Sequence, residues 1–257
     1  MVILHITIII FLGLAFGSFA NVLICRLPYN KPYMFSRSEC AHCGKKLGAL
    51  DLVPIVSYLF LKGRCKYCGS GISLLYPVSE IVMVLLFFVP YLMHGISIQS
   101  GIEAVLLFFI YTMTVIDFKH QILPDELTVG MIIFGLLVSL VNPLPGKQGL
   151  TAVLYSFAGL LWGGLVMWII ALFGEKVFKQ EALGGGDIKY MAGIGSVFGF
   201  SSVVFVLFYS SLAASVAGIT LIITGQKSRK DKMAFGPFMS IGVLIYLYAG
   251  KYLAFFG

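Results

Sequence analysis

Charge is what this sequence most lacks. Only 11% of its 257 residues are Asp, Glu, Lys or Arg, against ~25% in an ordinary soluble domain. With 59% of residues hydrophobic, that deficit excludes a conventional soluble protein before any motif is read. Basic residues interleaved with aromatics on a soluble fold are also missing. The net charge of +7 therefore does not point to nucleic acid as a partner. The first apolar run, residues 2–24, lacks a basic start and a small-residue cleavage site before Arg26. It reads as a retained span and not as a signal peptide.

What the chain does have is a series of apolar runs near the ~20 residues a spanning helix needs. They cover residues 2–24, 76–93, 102–116, 127–141, 150–173 and 235–256, with residues 190–223 too long for one crossing. Gly193, Gly195, Gly199 and the Ser201–Ser202 pair divide that last stretch into a short helix, a turn and a longer helix. The cations set the orientation. With the first long loop in the cytoplasm and eight crossings, the inside loops collect nearly all the Lys and Arg, Lys179, Lys189, Lys227, Arg229, Lys230 and Lys232 among them. Only Lys147 and Lys251 fall outside, as the positive-inside rule expects. The fold expected is an all-α polytopic membrane protein of about eight transmembrane helices with a small cytoplasmic zinc-ribbon-like loop domain.

That loop carries the pairs "CAHCG" and "CKYCG". Cys40, Cys43, Cys65 and Cys68 form C-x2-C, a spacer, then C-x2-C, close to zinc-ribbon spacing. Two intervening residues let one tight turn aim both thiolates at one ion. Gly44 and Gly69 follow the second cysteine of each pair, where a left-handed backbone is often needed. A reducing cytoplasm disfavours disulfides. Four thiolates close the shell, so the zinc expected here is structural. His42 sits between two ligands without being required as one, and Cys25, at a span end, is read as a packing residue.

Two acidic residues border apolar runs, where carboxylates are costly and often functional. Asp117 directly follows one run, and Asp187 follows Gly184-Gly185-Gly186 and precedes another. Each also reads as a helix cap or as a solvated loop residue. Asp125, after Pro124, is well placed to cap the fourth span. The glycine run suits close backbone approach, positive φ and the admission of an extended peptide. Two carboxylates that meet share a proton, one acting as base on water and the other polarising a carbonyl. Spacing alone does not establish that Asp117 and Asp187 meet.

The chain resembles the bacterial type IV prepilin peptidases, membrane aspartic proteases with a G-x-G-D motif. The resemblance is carried by "GSFANVLICRLP" (17–28), the cysteine segment 36–80, "IDFKHQILPDELT" (116–128), "GGGDIK" (184–189) and "FGPF" (235–238). Residue by residue it implies that Asp117 and Asp187 are catalytic, with Gly184, Gly186 and Asp125 supporting. It implies cleavage of the basic leader of type IV prepilins or pseudopilins at the cytoplasmic face of the bacterial inner membrane. N-methylation of the new terminus with S-adenosylmethionine is implied as well. The corresponding layout is a first transmembrane helix at 1–25, a zinc-binding, methyltransferase-associated domain at 26–75 and a transmembrane aspartic peptidase domain at 76–257. No glycine-rich nucleotide turn after a strand marks a methyl-donor site, and "GIGSVFG" (193–199) lies in an apolar segment.

Two other classes fit parts of the sequence. A membrane scaffold with the zinc knuckle as a docking module leaves the acidic segments unexplained. A transporter with a proton relay favours carboxylates near mid-bilayer, whereas these lie at span ends.

Overall fold

The computed structural model describes residues 1–34, 37–147, 149–178, 183–226, 228 and 233–253. Lys179, Lys227, Arg229, Lys230 and Lys232, used above to orient the chain, lie outside the described residues, as do Ser36 and residues 254–256. Among the described residues there are nine α-helices, and the only β-structure is two isolated antiparallel bridges. Among the described residues, five helices are long and apolar enough to cross a membrane. The chain is a multi-pass membrane protein, as expected, and divides into two units, residues 1–108 and 109–257.

In the first unit, α1 (Val2–Arg26) packs against α3 (Leu75–His94). Close approach needs small residues at the seam: a Cβ on Gly13 would lie 2.6 Å from the Val84 Cα. Phe16 fills the adjoining space against Phe87 and Phe108. Between these helices lies the cysteine loop, with the short helix α2 (Val56–Phe60). The third apolar run, 102–116, extends as α4 (Ile98–His120), which passes from one unit into the other.

The second unit is built around α7 (Gly185–Phe198), whose residues from Tyr190 to Phe198 are all buried. A helix that is apolar on every side belongs inside a bundle. It is surrounded by α5 (Asp125–Val138), α6 (Gly149–Phe178), α8 (Phe200–Ile223) and α9 (Gly236–Leu253). The α6 and α7 backbones meet at Gly159 and Gly195, and again where a Cβ on Gly163 would lie 2.6 Å from the Met191 carbonyl. Gly199, at φ +82°, breaks the path between α7 and α8, so the split expected in residues 190–223 falls at that glycine. Helices α5 and α7 have 14 residues each; at 1.5 Å per residue they measure about 21 Å, short of a ~30 Å hydrocarbon core.

Candidate functional site

The cysteine loop is two copies of one hairpin. In the first, the Cys40 N–H donates to the Lys45 carbonyl at 2.9 Å and the Gly44 N–H to the Cys40 carbonyl at 2.9 Å. In the second, Cys65 donates to Ser70 at 2.8 Å and Gly69 to Cys65 at 2.8 Å. An antiparallel bridge closes each hairpin, Glu39 with Lys46 and Arg64 with Gly71. Gly44 and Gly69 have φ of +66° and +72° and open space around them, so backbone conformation alone calls for glycine there. The four sulfurs lie within 4.8 Å of one another, with Cys40 and Cys68 at 3.9 Å. Tetrahedral thiolates at ~2.3 Å from one ion would stand ~3.8 Å apart, so the cluster fits a single metal ion.

Hydrogen bonds prepare the first thiolate. N–H groups of Cys43 and then His42 bring the Cys40 thiol down to about 6. Cys43 receives a lowering bond from the Lys45 N–H, yet burial and the neighbouring sulfurs of Cys40 and Cys68 push it up to about 11. Asp51 ties the copies together, pairing with Lys66 at 2.7 Å and accepting the Gly48 N–H at 2.9 Å. These two partners, Lys66 first, hold its carboxyl below the usual carboxylate range. Cys25, read as a packing residue, faces the Tyr76 hydroxyl at 3.4 Å.

The second unit brings both aspartates to one cavity of about 240 Å³, lined by Asp117, Gln121, Ile122, Leu123, Gly184, Gly185, Gly186 and Asp187. Asp117 is not in a polar loop, as its position after residue 116 indicated. Helix α4 continues for another turn and ends only at Gln121, whose φ is +55° and whose N–H donates to the Asp117 carbonyl at 2.8 Å. Asp117 is 4% exposed, and its Oδ2 accepts the Gly236 N–H at 2.9 Å. Gly236 is the first residue of α9, so the carboxylate sits on the positive end of a helix.

Asp187 occupies the third position of α7, and its Oδ2 accepts the N–H of the N-cap residue Gly184 at 3.2 Å. Its capping role and its place in the cavity are therefore compatible. The glycine run departs from expectation: none of Gly184, Gly185 and Gly186 has positive φ. They are the N-cap and first turn of α7. What requires glycine is contact, because a Cβ on Gly186 would lie 2.7 Å from the Leu123 Cβ, whereas Gly185 faces open space.

Asp125 is not the cap of α5. Pro124 has the extended backbone of an N-cap (φ −61°, ψ 140°), which places Asp125 one residue inside the helix. Its exposed Oδ1 pairs with Lys189 at 2.7 Å instead.

Sequence reasoning missed the support behind Asp117. The Ser240 hydroxyl donates to the Gly236 carbonyl at 3.0 Å, leaving its lone pairs for the hydroxyls of Thr114 at 2.7 Å and Tyr190 at 2.9 Å. This saturated group joins α4, α7 and α9 behind the site. The available signal was "FGPF": glycine followed by proline at a helix start.

Comparison with known proteins gives two family matches along the chain. The type IV leader peptidase family model matches residues 104–219, and the bacterial peptidase A24 N-terminal domain matches residues 11–94. A protein of Bacillus subtilis (strain 168) named prepilin leader peptidase/N-methyltransferase is 30% identical over 252 residues, 98% of this chain and 97% of its own. The chain belongs to the type IV leader peptidase family. Relatives of the same name include one from Pectobacterium carotovorum subsp. carotovorum, 30% identical over 90% of this chain and 88% of its own. One from Aeromonas hydrophila is 29% identical over 96% and 91%. No solved structure matches the chain. In this leader peptidase family member the N-terminal match contains all four paired cysteines and the peptidase match contains both aspartates. Gly236 lies beyond either match.

Proposed function

We propose that the chain is a membrane-embedded aspartic endopeptidase that removes the basic leader of type IV prepilins or pseudopilins, serving pilus assembly or type II secretion. It then N-methylates the new terminal residue. The observation that carries this reading is the placement of Asp117 and Asp187 on one cavity, each held by a backbone N–H at a helix start. The two carboxylates share one proton. The ionised member takes a proton from water as the water oxygen attacks the scissile carbonyl carbon, and the protonated member donates to the carbonyl oxygen. Collapse of the tetrahedral intermediate breaks the C–N bond, and a proton passes to the leaving amine. Gly184 and Gly186 support the wall of this cavity, and Asp125 supports the start of α7 through its pair with Lys189.

Charge distribution supports a cytoplasmic active site in the bacterial inner membrane. Residues 1–25 form the first span, 26–75 the zinc-binding domain and 76–257 the peptidase domain in this reading. Cys40, Cys43, Cys65 and Cys68 hold a structural zinc that folds a loop too small for its own core. S-adenosylmethionine supplies the methyl group. A groove of about 480 Å³ beside the first hairpin, lined by Arg37, Ser38, Leu47, Gly48, Ala49 and Leu52, offers one cation and one hydroxyl on an apolar floor.

The test is a purified, reconstituted chain incubated with a prepilin and S-adenosylmethionine. A shortened product carrying one added methyl group is expected. An uncut substrate, with the chain folded and metal-loaded, overturns the peptidase reading.

A further inference from the structure

The first unit holds a polar cluster that peptide cleavage does not use. Glu80, in the second turn of α3, is 7% exposed although that helix is apolar enough to span a membrane. Its Oε2 accepts the Ile55 N–H at 2.7 Å. Ile55 has φ +60°, a costly conformation for a β-branched residue, so the loop is held under strain with its N–H on the carboxylate. One turn nearer the start of α3, the Tyr76 carbonyl accepts from the Asn21 Nδ2 at 3.0 Å. Asn21 is 2% exposed, and its Oδ1 is buried without a hydrogen-bond partner among the described residues. Gly17, one turn before Asn21, faces the backbone of Glu80, where a Cβ would lie 2.6 Å from the Glu80 Cα. Asn21 on α1 and Glu80 on α3 thus sit at adjoining levels of the seam between these helices.

The cluster is rich in acceptors and short of donors. The Glu80 carboxylate accepts one N–H, that of Ile55, and the Asn21 Oδ1 is a buried acceptor left unmet among the described residues. Buried acceptors left unmet cost stability, and an ionisable residue inside a span marks a functional position. The complementary ligand is a cation with several N–H donors and no bulk at its head, which describes a primary ammonium.

We propose that Glu80 and Asn21 receive the α-ammonium of the newly cut substrate, and that Glu80 takes its proton for methylation. This rests on the methyl transfer proposed above. The ammonium donates to Glu80 and to the Asn21 Oδ1. Transfer of one proton to the Glu80 carboxylate frees the nitrogen lone pair. The nitrogen then bonds to the methyl carbon of the sulfonium donor as the S–CH3 bond breaks, leaving a neutral thioether. The methylated nitrogen then carries the positive charge.

Glu80→Gln separates this role from a purely structural one, because the amide oxygen still accepts from Ile55 while charge and base are lost. Full-length protein in lipid nanodiscs is titrated, without methyl donor, with a mature-sequence peptide bearing either a free or an acetylated N-terminus. Wild type is expected to prefer the free amine by on the order of tenfold or more. Glu80→Gln, and independently Asn21→Leu, should lose that preference. In the prepilin assay Glu80→Gln should cut normally and keep its metal but release unmethylated product. Wild-type methylation by Glu80→Gln, or equal wild-type binding of the two peptides, overturns the proposal. Should Glu80→Gln fail to fold, the wild-type and Asn21→Leu titrations decide. Loss of cleavage by wild type would instead strike the peptidase reading, since the peptide titration does not depend on cleavage.

Discussion

The Gly236 N–H and the Asp117 Oδ2 lie 2.9 Å apart, across 119 positions of sequence. One carboxylate oxygen of Asp117 is thereby fixed by the start of α9, leaving the other for the cavity. A Cβ at position 236 would sit 2.6 Å from the same oxygen, so any side chain there must displace the carboxylate. The hydroxyl of Ser240 anchors the Gly236 carbonyl from behind.

Asp117→Asn and Asp187→Asn should each lower prepilin cleavage by about 10²–10⁴-fold or more. Metal content and membrane insertion should not change. Product formation followed by mass spectrometry reads this directly. Near-normal cleavage by either variant would remove that aspartate from the chemistry.

Gly236→Ala should displace Asp117 and cost about 10²-fold in turnover. Gly250→Ala in the same helix is the control, because its nearest neighbour, Tyr246 Cδ2, stands at 3.7 Å. Equal activity of the two variants would show that the close contact does not govern the carboxylate.

The glycine run should respond unevenly. Gly185→Ala meets open space and should cut normally, whereas Gly186→Ala and more so Gly186→Val collide with Leu123. Overpacking of this kind costs about 1–3 kcal/mol. Leu123→Gly should partly restore Gly186→Ala. If Gly186→Val cleaves fully, contact at this position is irrelevant to the site.

Asp125→Asn should be mild. The pair with Lys189 is solvent-exposed, and such pairs contribute at most about 1 kcal/mol. Thermal unfolding of the variant in detergent measures it. A loss of cleavage matching that of Asp117→Asn would place Asp125 within the reaction.

Metal removal should expose a graded set of thiols. In the loaded protein all four paired cysteines should resist alkylation. After chelation, Cys40 should react first at neutral pH, because its thiol, lowered to about 6, is largely thiolate there. Cys43, pushed up to about 11, should lag. Peptide mapping after brief alkylation at several pH values gives the order, and uniform labelling would contradict the arrangement of N–H groups around Cys40.

Legibility followed sequence separation. The cysteine hairpins were readable because ligand spacing and the glycine after each pair are local requirements, met within five residues. The break at Gly199 was readable for the same reason. Asp187 was visible because its cap and its glycines are neighbours. The extra turn of α4 past residue 116 was not visible, because apolar patterning ends there while backbone hydrogen bonding continues to Gln121. Asp125 was misread as a cap because Pro124 already supplies the extended backbone and the acidic side chain is drawn to Lys189 on α7. The roles of Gly236, Ser240 and Leu123 depend on partners far along the chain, which no local pattern encodes.

The paired hairpins divide the metal shell into two halves. One shift in numbering takes Cys40 to Cys65, Cys43 to Cys68 and Gly44 to Gly69, with the same backbone hydrogen bonds in both places. Each hairpin alone offers two thiolates, too few to close a tetrahedral shell. Because both halves lie on one chain, their encounter is intramolecular, with an effective concentration set by the loop between them, which contains Asp51 and α2.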